Sequence, residues 1–345
     1  MISKSVYIEI TNRCNLNCRD CYNSSGTNKN TVELDPDTLI NFIKELKYHC
    51  GVEFVVISGG EPLLHSRFNE ILESISEFSK ENTDVDFNFI TNGTTYNPLF
   101  YSMLENNPHF TLQVSLDGPN EAANASMRGA GNFQRVVSNL SKRKFARKPV
   151  FKMIINKANA PFVEEYFYFV QDVFDGMPAY AFVNYQGNAV ENWSEMAFSA
   201  KEQADIIVKI HNLYKKHNIT SQTLPMPASH CDLTESDGVR NFCVKSDGSV
   251  QPCQNLYDNR FTLANIHSLD WEDLERKIGE LSSNLSKRLS IDYGCGVCPI
   301  KSKCGRGCAA VAFASKCDIM SDDGYCELRR MSTFRLIKAV KIKNE

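Results

Sequence analysis

Three cysteines near the start of the chain have a spacing that suits a metal or cluster site. Cys14, Cys18 and Cys21 form the pattern C-x3-C-x2-C. Three thiolates on one tight loop can bind three irons of a [4Fe–4S] cube and leave the fourth iron open. An open coordination position can bind a substrate or cofactor directly, as it does in catalytic zinc sites. The alternative is a structural zinc site whose fourth ligand is distant in the sequence.

Further candidate residues come directly after predicted strands, in the segments Gly59-Gly60-Glu61-Pro62, Thr91-Asn92-Gly93 and Ser115-Leu116-Asp117-Gly118. The glycines let the backbone approach a ligand closely, and Glu61 is an anion that could face an ammonium group. Pro62 fits equally well at the start of a helix after a strand-to-helix turn. The hydroxyl of Ser115 and the carboxylate of Asp117 are suited to hydrogen-bond a ribose or an amino-acid group.

Alternating strands and helices must position these residues. Apolar, β-rich runs predict strands over residues 6–10, 52–57, 85–91, 110–116, 150–155 and 180–184. Helical spacing of apolar residues predicts helices that start at Pro36 and that cover 68–78, 98–105, 133–142 and 162–174. Repeated β-then-α units predict an α/β fold with a parallel sheet, and six units suit a partial (β/α)6 barrel of the TIM type. In such barrels the chemistry lies at the carboxyl ends of the strands.

With Tyr22 directly after it, the first cysteine motif resembles that of the radical SAM superfamily. This resemblance implies that the Gly59–Pro62 segment contacts the methionine amino group of S-adenosylmethionine (SAM), with Asn92, Ser115 and Asp117 nearby. It implies that the cluster gives one electron to the sulfonium, and that the resulting 5′-deoxyadenosyl radical abstracts a substrate hydrogen.

Two weaker matches complete the predicted SAM site. Arg128 matches an arginine near the SAM carboxylate, and a surface salt bridge is the alternative role for it. Residues 184–188, including Gly187, resemble the sixth-strand loop that passes the adenine.

A second group of cysteines fills the last third of the chain. An Asp247-Gly248 turn predicts a hairpin that brings Cys243 and Cys253 together. The group resembles the SPASM extension of radical SAM enzymes, which holds two further [4Fe–4S] clusters. The resemblance implies one ligand set of Cys231, Cys243, Cys253 and Cys308, and a second set of Cys295, Cys298, Cys304 and Cys326. The long separation of Cys231 from Cys243 leaves room for an open iron or another ligand, and structural zinc is the alternative for the whole group.

The boundary between the two modules is predicted near Pro225 and Pro227, which gives a partial barrel over residues 1–222 and an extension over 223–345. Helices are predicted in the extension over 271–281 and 327–338. Two cysteines remain outside the ligand sets. Cys50 is predicted to be core. Cys317 could be core, a substitute ligand or a hydrogen-atom donor, and a donor would imply epimerisation.

The resemblance implies a peptide or protein substrate, modified by a cross-link, a thioether or epimerisation. Sulfatase-maturing relatives carry an aspartate base directly after the cysteine equivalent to Cys253. Here that position is Gln254, and an amide cannot act as a base, which argues against sulfatase maturation. The first strand begins near Val6, so we expect a leader peptide to be bound elsewhere, by a separate protein, or not at all. A flavodoxin or ferredoxin would supply electrons.

Two other functions stay open at this stage. The first is a SPASM enzyme that modifies a small molecule, such as a tetrapyrrole side chain or a sugar alcohol. The second, of another class, is a non-catalytic binding protein stabilised by zinc or a cluster.

The overall composition limits the partners and the compartment. The formal net charge is -3, which gives no sign of a nucleic-acid partner. No signal-peptide pattern and no apolar run of about 20 residues are present, so we expect a cytoplasmic protein without a membrane partner. The 13 cysteines of the chain would then be in a reducing compartment, where clusters are favoured over disulfides.

Overall fold

A nine-stranded sheet forms the centre of the protein in the computed structural model, which describes residues 4–27, 30–234 and 241–341. The strands lie in the order β6-β5-β4-β3-β2-β1-β7-β8-β9. Their bounds are β1 Ser5–Thr11, β2 Phe54–Gly59, β3 Asp86–Thr91, β4 Phe110–Ser115, β5 Val150–Ile155, β6 Met177–Phe182, β7 Asn241–Val244, β8 Ser249–Gln251 and β9 Ala264–Asn265. Strands β1 to β6 run parallel. The predicted α/β class with a parallel, partial-barrel sheet is therefore confirmed.

Eleven helices connect and cover the strands in the described part of the chain. They are α1 Pro36–Cys50, α2 Phe68–Glu81, α3 Pro98–Asn106, α4 Glu121–Arg128, α5 Asn132–Leu140, α6 Val163–Phe174, α7 Trp193–Met196, α8 Ala200–Lys216, α9 Trp271–Ser286, α10 Ala309–Lys316 and α11 Cys326–Lys341. The seven predicted helices are confirmed within a few residues. None of the described helices has the length and apolarity that a membrane crossing requires.

The two faces of the parallel strands differ in character. In β5 the side chains of Phe151, Met153 and Ile155 are fully buried beneath the helices. The alternate residues, Lys152 and Ile154, face a cavity on the other side of the sheet. This alternation follows from the two-residue repeat of a strand, and it explains why polar residues can occupy an otherwise apolar sheet.

The cysteine-rich part of the chain continues the same sheet. Strand β7 pairs in parallel with β1, with Tyr7 opposite Cys243. Strand β8 returns antiparallel to β7 through the predicted hairpin, with Gly248 at φ 82°. Helix α11 packs against α8, where Leu328 contacts the cluster formed by Ala204 and Ile207. The extension is thus joined to the barrel at both a strand and a helix.

Candidate functional site

The three cysteines of the first motif lie on the loop after β1 and face one cavity of about 500 Å³. This cavity lies along the inner face of the parallel strands, and its lining reaches from Phe54 at the start of β2 to Gly59 at its end. The residues predicted for SAM binding that line it are Gly59, Gly60, Asn92, Ser115 and Arg128. Gln254 and Asn255 line it from the extension. The loop, the strand ends and the extension therefore contribute to one space.

Direct backbone contacts hold the cysteine loop in place. The backbone N–H of Asn188 donates to the carbonyl of Cys21 at 2.9 Å, and the Asn188 side-chain amide donates to the carbonyl of Cys18 at 2.8 Å. Gly187 has φ 56°, and a Cβ atom there would lie 2.1 Å from the Cys21 carbonyl oxygen. The loop after β6 can make this approach only because it has glycine at this position.

The thiols of the loop have the chemistry that an iron–sulfur cluster requires. The cysteines predicted as ligands are free thiols. Burial raises the pKa of Cys14 to about 11 and that of Cys18 to about 12, and the Arg128 guanidinium opposes both shifts. A guanidinium nitrogen of Arg128 lies 3.7 Å from the Cys18 sulfur. Iron binding would replace these protons, so an all-thiol set beside a cation fits a thiolate-bound cluster.

The glycine segment after β2 packs directly on the start of the cysteine loop. The N–H of Gly60 donates to the carbonyl of Thr11 at 2.8 Å, and that of Glu61 donates to the carbonyl of Arg13 at 2.7 Å. A Cβ atom on Gly60 would lie 2.3 Å from the Arg13 carbonyl oxygen. The close backbone approach at Gly60 therefore packs this segment against the cysteine loop.

The side chain of Glu61 differs from the expectation of an anion that faces an ammonium group. It is fully buried and accepts hydrogen bonds at 2.7 Å from the hydroxyl of Thr91 and from the backbone N–H of Asn92. Burial raises its pKa to about 7. The carboxylate thus fixes the turn after β3, while Pro62 begins a 3-10 helix, Pro62–Leu64.

Asp117 and Arg128 form a buried ion pair, with 2.6 Å between Arg128 Nε and Asp117 Oδ2. Asp117 also accepts from the backbone N–H of Ile154 at 2.7 Å. Burial raises the pKa of Asp117, and Arg128 opposes that shift. The structure places Asp117 in this ion pair and outside the lining of the cavity, and the salt bridge considered for Arg128 is buried rather than at the surface. Ser115, in contrast, lines the cavity as the prediction requires.

Thiols of the first predicted auxiliary set lie close enough to influence one another. Burial raises the pKa of Cys253 to about 12, and the neighbouring thiols of Cys308 and Cys231 add to the shift. Burial also raises the pKa of Cys243, to which Cys253 contributes. These electrostatic contacts link Cys253 to Cys231, Cys243 and Cys308. Among the residues that the structure describes, no group of three or more Cys, His, Asp or Glu side chains is gathered closely enough to hold a metal ion, so this ligand set stays a prediction.

The second predicted auxiliary set is more exposed. The backbone N–H of Cys298 donates to the carbonyl of Cys295 at 3.1 Å, so both thiols arise from one turn. Burial raises the pKa of Cys326, with a small contribution from Cys304. Fully buried Arg288 supports this region by donating to the carbonyls of Arg306, at 3.0 Å, and Ser321, at 2.8 Å.

The two remaining cysteines have different environments. Cys50 is buried in the main core at the end of α1, as predicted. Cys317 is exposed at the end of α10, with φ 56°. The prediction that Cys317 donates a hydrogen atom does not fit this position, because the residue lies outside the wall of the cavity that Cys14 faces.

Sequence reasoning missed a buried polar network beside the cysteine loop. Glu9 accepts hydrogen bonds from the hydroxyls of Tyr22 and Tyr257, the latter at 2.6 Å, and from the amide of Asn23 at 3.2 Å. The ammonium group of Lys245 lies 4.0 Å from the centre of the Tyr257 ring. The available signal was Glu9, the single charged residue in the first strand.

Comparison with known proteins assigns the family. Residues 8–155 match the model of the radical SAM superfamily. Residues 8–155 form a radical SAM domain. This match confirms the predicted resemblance to radical SAM enzymes. A radical SAM domain with this three-thiol loop implies a SAM site and one [4Fe–4S] cluster.

Two relatives and one solved structure match this chain over nearly its whole length. The mycofactocin maturase MftC of Mycobacterium ulcerans is 26% identical, over 92% of this chain and 86% of its own. The AdoMet-dependent heme synthase of Methanosarcina barkeri is 25% identical, over 93% and 95%. A structure of anSMEcpe with bound AdoMet and the Cp18Cys peptide has a TM-score of 0.74 at 18% identity, and covers 99% of this chain and 98% of its own.

Proposed function

We propose that this radical SAM enzyme modifies a peptide, by a cross-link, a thioether bond or epimerisation. The observation that carries the proposal is the shared cavity: the thiols of Cys14, Cys18 and Cys21 face the same space as Gly60 and Ser115. The cluster that Cys14, Cys18 and Cys21 would hold would supply the single electron for reductive cleavage of SAM, which is the chemistry that makes hydrogen abstraction from a substrate possible.

The residues of this chain bind, orient and shield the reactants. Cys14, Cys18 and Cys21 hold the cluster and leave one iron for SAM. The backbone at Gly59 and Gly60 contacts the methionyl end, and Asn92 and Ser115 supply neutral hydrogen-bonding groups to it. These assignments are supported by the position of the residues on one cavity wall.

Arg128 is the residue proposed to bind the SAM carboxylate. Its Nε is held by Asp117, so its remaining nitrogens can face the cavity. Asp117 is therefore a positioning residue. Glu61 is also a positioning residue, because its carboxylate fixes the Thr91–Asn92 turn.

Two auxiliary [4Fe–4S] clusters complete the proposed cofactor content, in an extension that covers residues 223–345 beside a barrel over 1–222. The first is bound by the set that contains Cys253 and the second by the set that contains Cys298. Gln254 and Asn255 line the main cavity directly after Cys253, so the first auxiliary cluster would lie near the substrate. It could accept an electron from a substrate radical, and a flavodoxin or ferredoxin would serve the chain as electron donor.

The peptide substrate is supported by the maturase relative and by the peptide-bound structure with the same fold. A small-molecule substrate is the second candidate, because the heme synthase relative matches an equally large share of the chain. The family assignment argues against the non-catalytic binding protein. Gln254 argues against sulfatase maturation here, since its amide cannot accept a proton as a base.

Co-expression with each short open reading frame that flanks the gene tests the substrate class. The proposal predicts that one encoded peptide loses hydrogen, or gains deuterium at an α-carbon in deuterated water, when analysed by mass spectrometry. Unchanged peptides, together with turnover of a tetrapyrrole by the same holoenzyme, would instead support the small-molecule function.

Iron analysis tests the cofactor content separately. The wild-type protein, reconstituted without oxygen, should bind about twelve irons, and Cys253→Ala with Cys308→Ala, or Cys295→Ala with Cys298→Ala, should each remove about four. The matched control is Cys317→Ser, which should remove none. Equal iron in all four proteins would contradict the proposed ligand sets.

A further inference from the structure

Lys152 places a charged side chain on the cavity face of the central sheet. It lies in β5, between Phe151 and Met153, which are fully buried on the opposite face. Its side chain lines the same cavity as the cysteine loop and Ser115. Ser115 is its register partner on β4, so the ammonium group of Lys152 belongs to the strand layer that carries the proposed SAM site.

This ammonium group has no counter-charge among the residues that the structure describes. Burial lowers the pKa of Lys152, and no charged neighbour contributes to the shift. Its register partners on the two adjacent strands, Ser115 and Ala179, are both uncharged. The other charged groups that line the cavity are Asp20 and Arg128, and their charges influence each other rather than Lys152.

Neutral polar groups line the same cavity as this lysine. Asn88 and Gln113 line the cavity from β3 and β4. The hydroxyl of Thr111 donates to Asn88 Oδ1 at 2.9 Å, so the amide nitrogen of Asn88 is the group that remains for a ligand. A cation with neutral donors around it forms a site for an anion, because a desolvated charge is costly until it is paired.

We propose that Lys152 binds a carboxylate of the substrate and so selects which residue presents its C–H bond to the radical. The inference rests on the proposed peptide substrate and restricts its class. The modified segment carries an Asp or Glu side chain, or a C-terminal carboxylate, beside the target atom. The SAM carboxylate is left to Arg128, whose guanidinium lies at the cluster end of the cavity, 3.7 Å from the Cys18 sulfur.

Chemical labelling of the holoenzyme tests the proposal without the natural substrate. The protein, reconstituted with clusters and saturated with SAM, is treated with limiting sulfo-N-hydroxysuccinimide acetate, and acetylation is measured by peptide mass mapping. Three probes are compared: N-acetyl-Gly-Glu-Gly-amide, N-acetyl-Gly-Gln-Gly-amide and N-acetyl-Gly-Gly-Gly with a free carboxylate. The proposal predicts that at least one acidic probe slows acetylation of Lys152 several-fold relative to the Gln probe. Acetylation of exposed Lys144 should not change.

The two acidic probes distinguish a side-chain carboxylate from a terminal one. Equal rates with the Glu, Gln and free-carboxylate probes would overturn the proposal. Full protection of Lys152 by SAM alone would also overturn it, because the lysine would then bind the SAM carboxylate.

Equilibrium dialysis of the labelled probes provides a second measurement. Lys152→Met should lose the preference for the acidic probe over the Gln probe, whereas Lys144→Met should keep it. An unchanged preference in Lys152→Met would overturn the proposal. Absence of deoxyadenosine release by the reduced wild-type holoenzyme would contradict the proposed function instead, so the two failures are distinguishable.

Discussion

Tyr257 donates a hydrogen bond to Glu9 over 2.6 Å, although 248 positions separate the two residues in the sequence. Glu9 is in the first strand and is 2% exposed. Its other carboxylate oxygen accepts from the hydroxyl of Tyr22, directly after the cysteine loop. One buried carboxylate therefore joins the loop that carries the first cysteines to the extension that carries the auxiliary cysteines.

Substitution of Tyr257 tests this link. Tyr257→Phe removes one donor and leaves a buried acceptor on Glu9 without its partner, which should lower the free energy of unfolding by about 1–3 kcal/mol. Chemical denaturation of the reconstituted protein measures the change. The matched control is Tyr48→Phe, because the side chain of Tyr48 is 85% exposed. Equal stabilities of the two variants would show that the hydrogen bond contributes nothing.

The ion pair of Arg128 and Asp117 should contribute far more to the free energy of unfolding than a surface ion pair of similar length. Arg128→Met leaves the Asp117 carboxylate buried and unpaired, and the expected loss of unfolding free energy is about 3–5 kcal/mol. Arg147→Met removes an exposed pair with Asp86 at 2.7 Å, where about 0–1 kcal/mol is expected. Comparable losses in denaturant titrations of the two variants would contradict the buried role of Arg128.

Gly187 should be required for the packing of the cysteine loop. Gly187→Ala puts a Cβ atom 2.1 Å from the Cys21 carbonyl oxygen at a positive φ, so the expected destabilisation exceeds about 1 kcal/mol. Gly279→Ala, in the open surroundings of α9, should instead stabilise the protein by roughly 0.5–1 kcal/mol. Thermal unfolding of both variants measures these opposite signs, and a shift in the same direction would contradict this packing.

The buried Glu61 carboxyl should make stability depend on pH. Its pKa is raised from 4.5 to about 7 by burial, so the folded state binds the proton more tightly than the unfolded state. The resulting stabilisation is complete below the unfolded pKa and is lost as pH rises through 7. As pH rises from below 4.5 to above 7, the free energy of unfolding of the wild type should fall by about 3 kcal/mol relative to that of Glu61→Gln. Urea titrations across this range measure the difference, and a constant difference would contradict the raised pKa.

The sequence predicted the sheet because its signals are local. The run that ends at Ile57 and the run over Val150–Ile155 are apolar and short, as buried parallel strands must be. Helix α8 was missed although Ser199 and Glu202 form a capping box at its start. That signal depends on two residues only.

Side-chain direction at the site could not be predicted. Glu61 follows two glycines, which suggests a ligand contact, yet its carboxylate turns inward because the backbone N–H of Asn92 and the hydroxyl of Thr91 need an acceptor. Lys152 gave no signal in the sequence, since its exposure depends on which face of β5 meets the cavity. Both outcomes are set by tertiary neighbours that a single sequence does not reveal.

Release of 5′-deoxyadenosine is the measurement that tests the central claim most directly. The claim is that the loop of Cys14, Cys18 and Cys21 binds the cluster that cleaves SAM. The reconstituted wild-type protein, reduced in the presence of SAM without oxygen, should release 5′-deoxyadenosine and methionine in equal amounts. The triple variant with alanine at these cysteines should keep about eight irons in the auxiliary clusters and release none. Iron-loaded wild type that releases no deoxyadenosine, or a triple variant that releases as much, would contradict the claim.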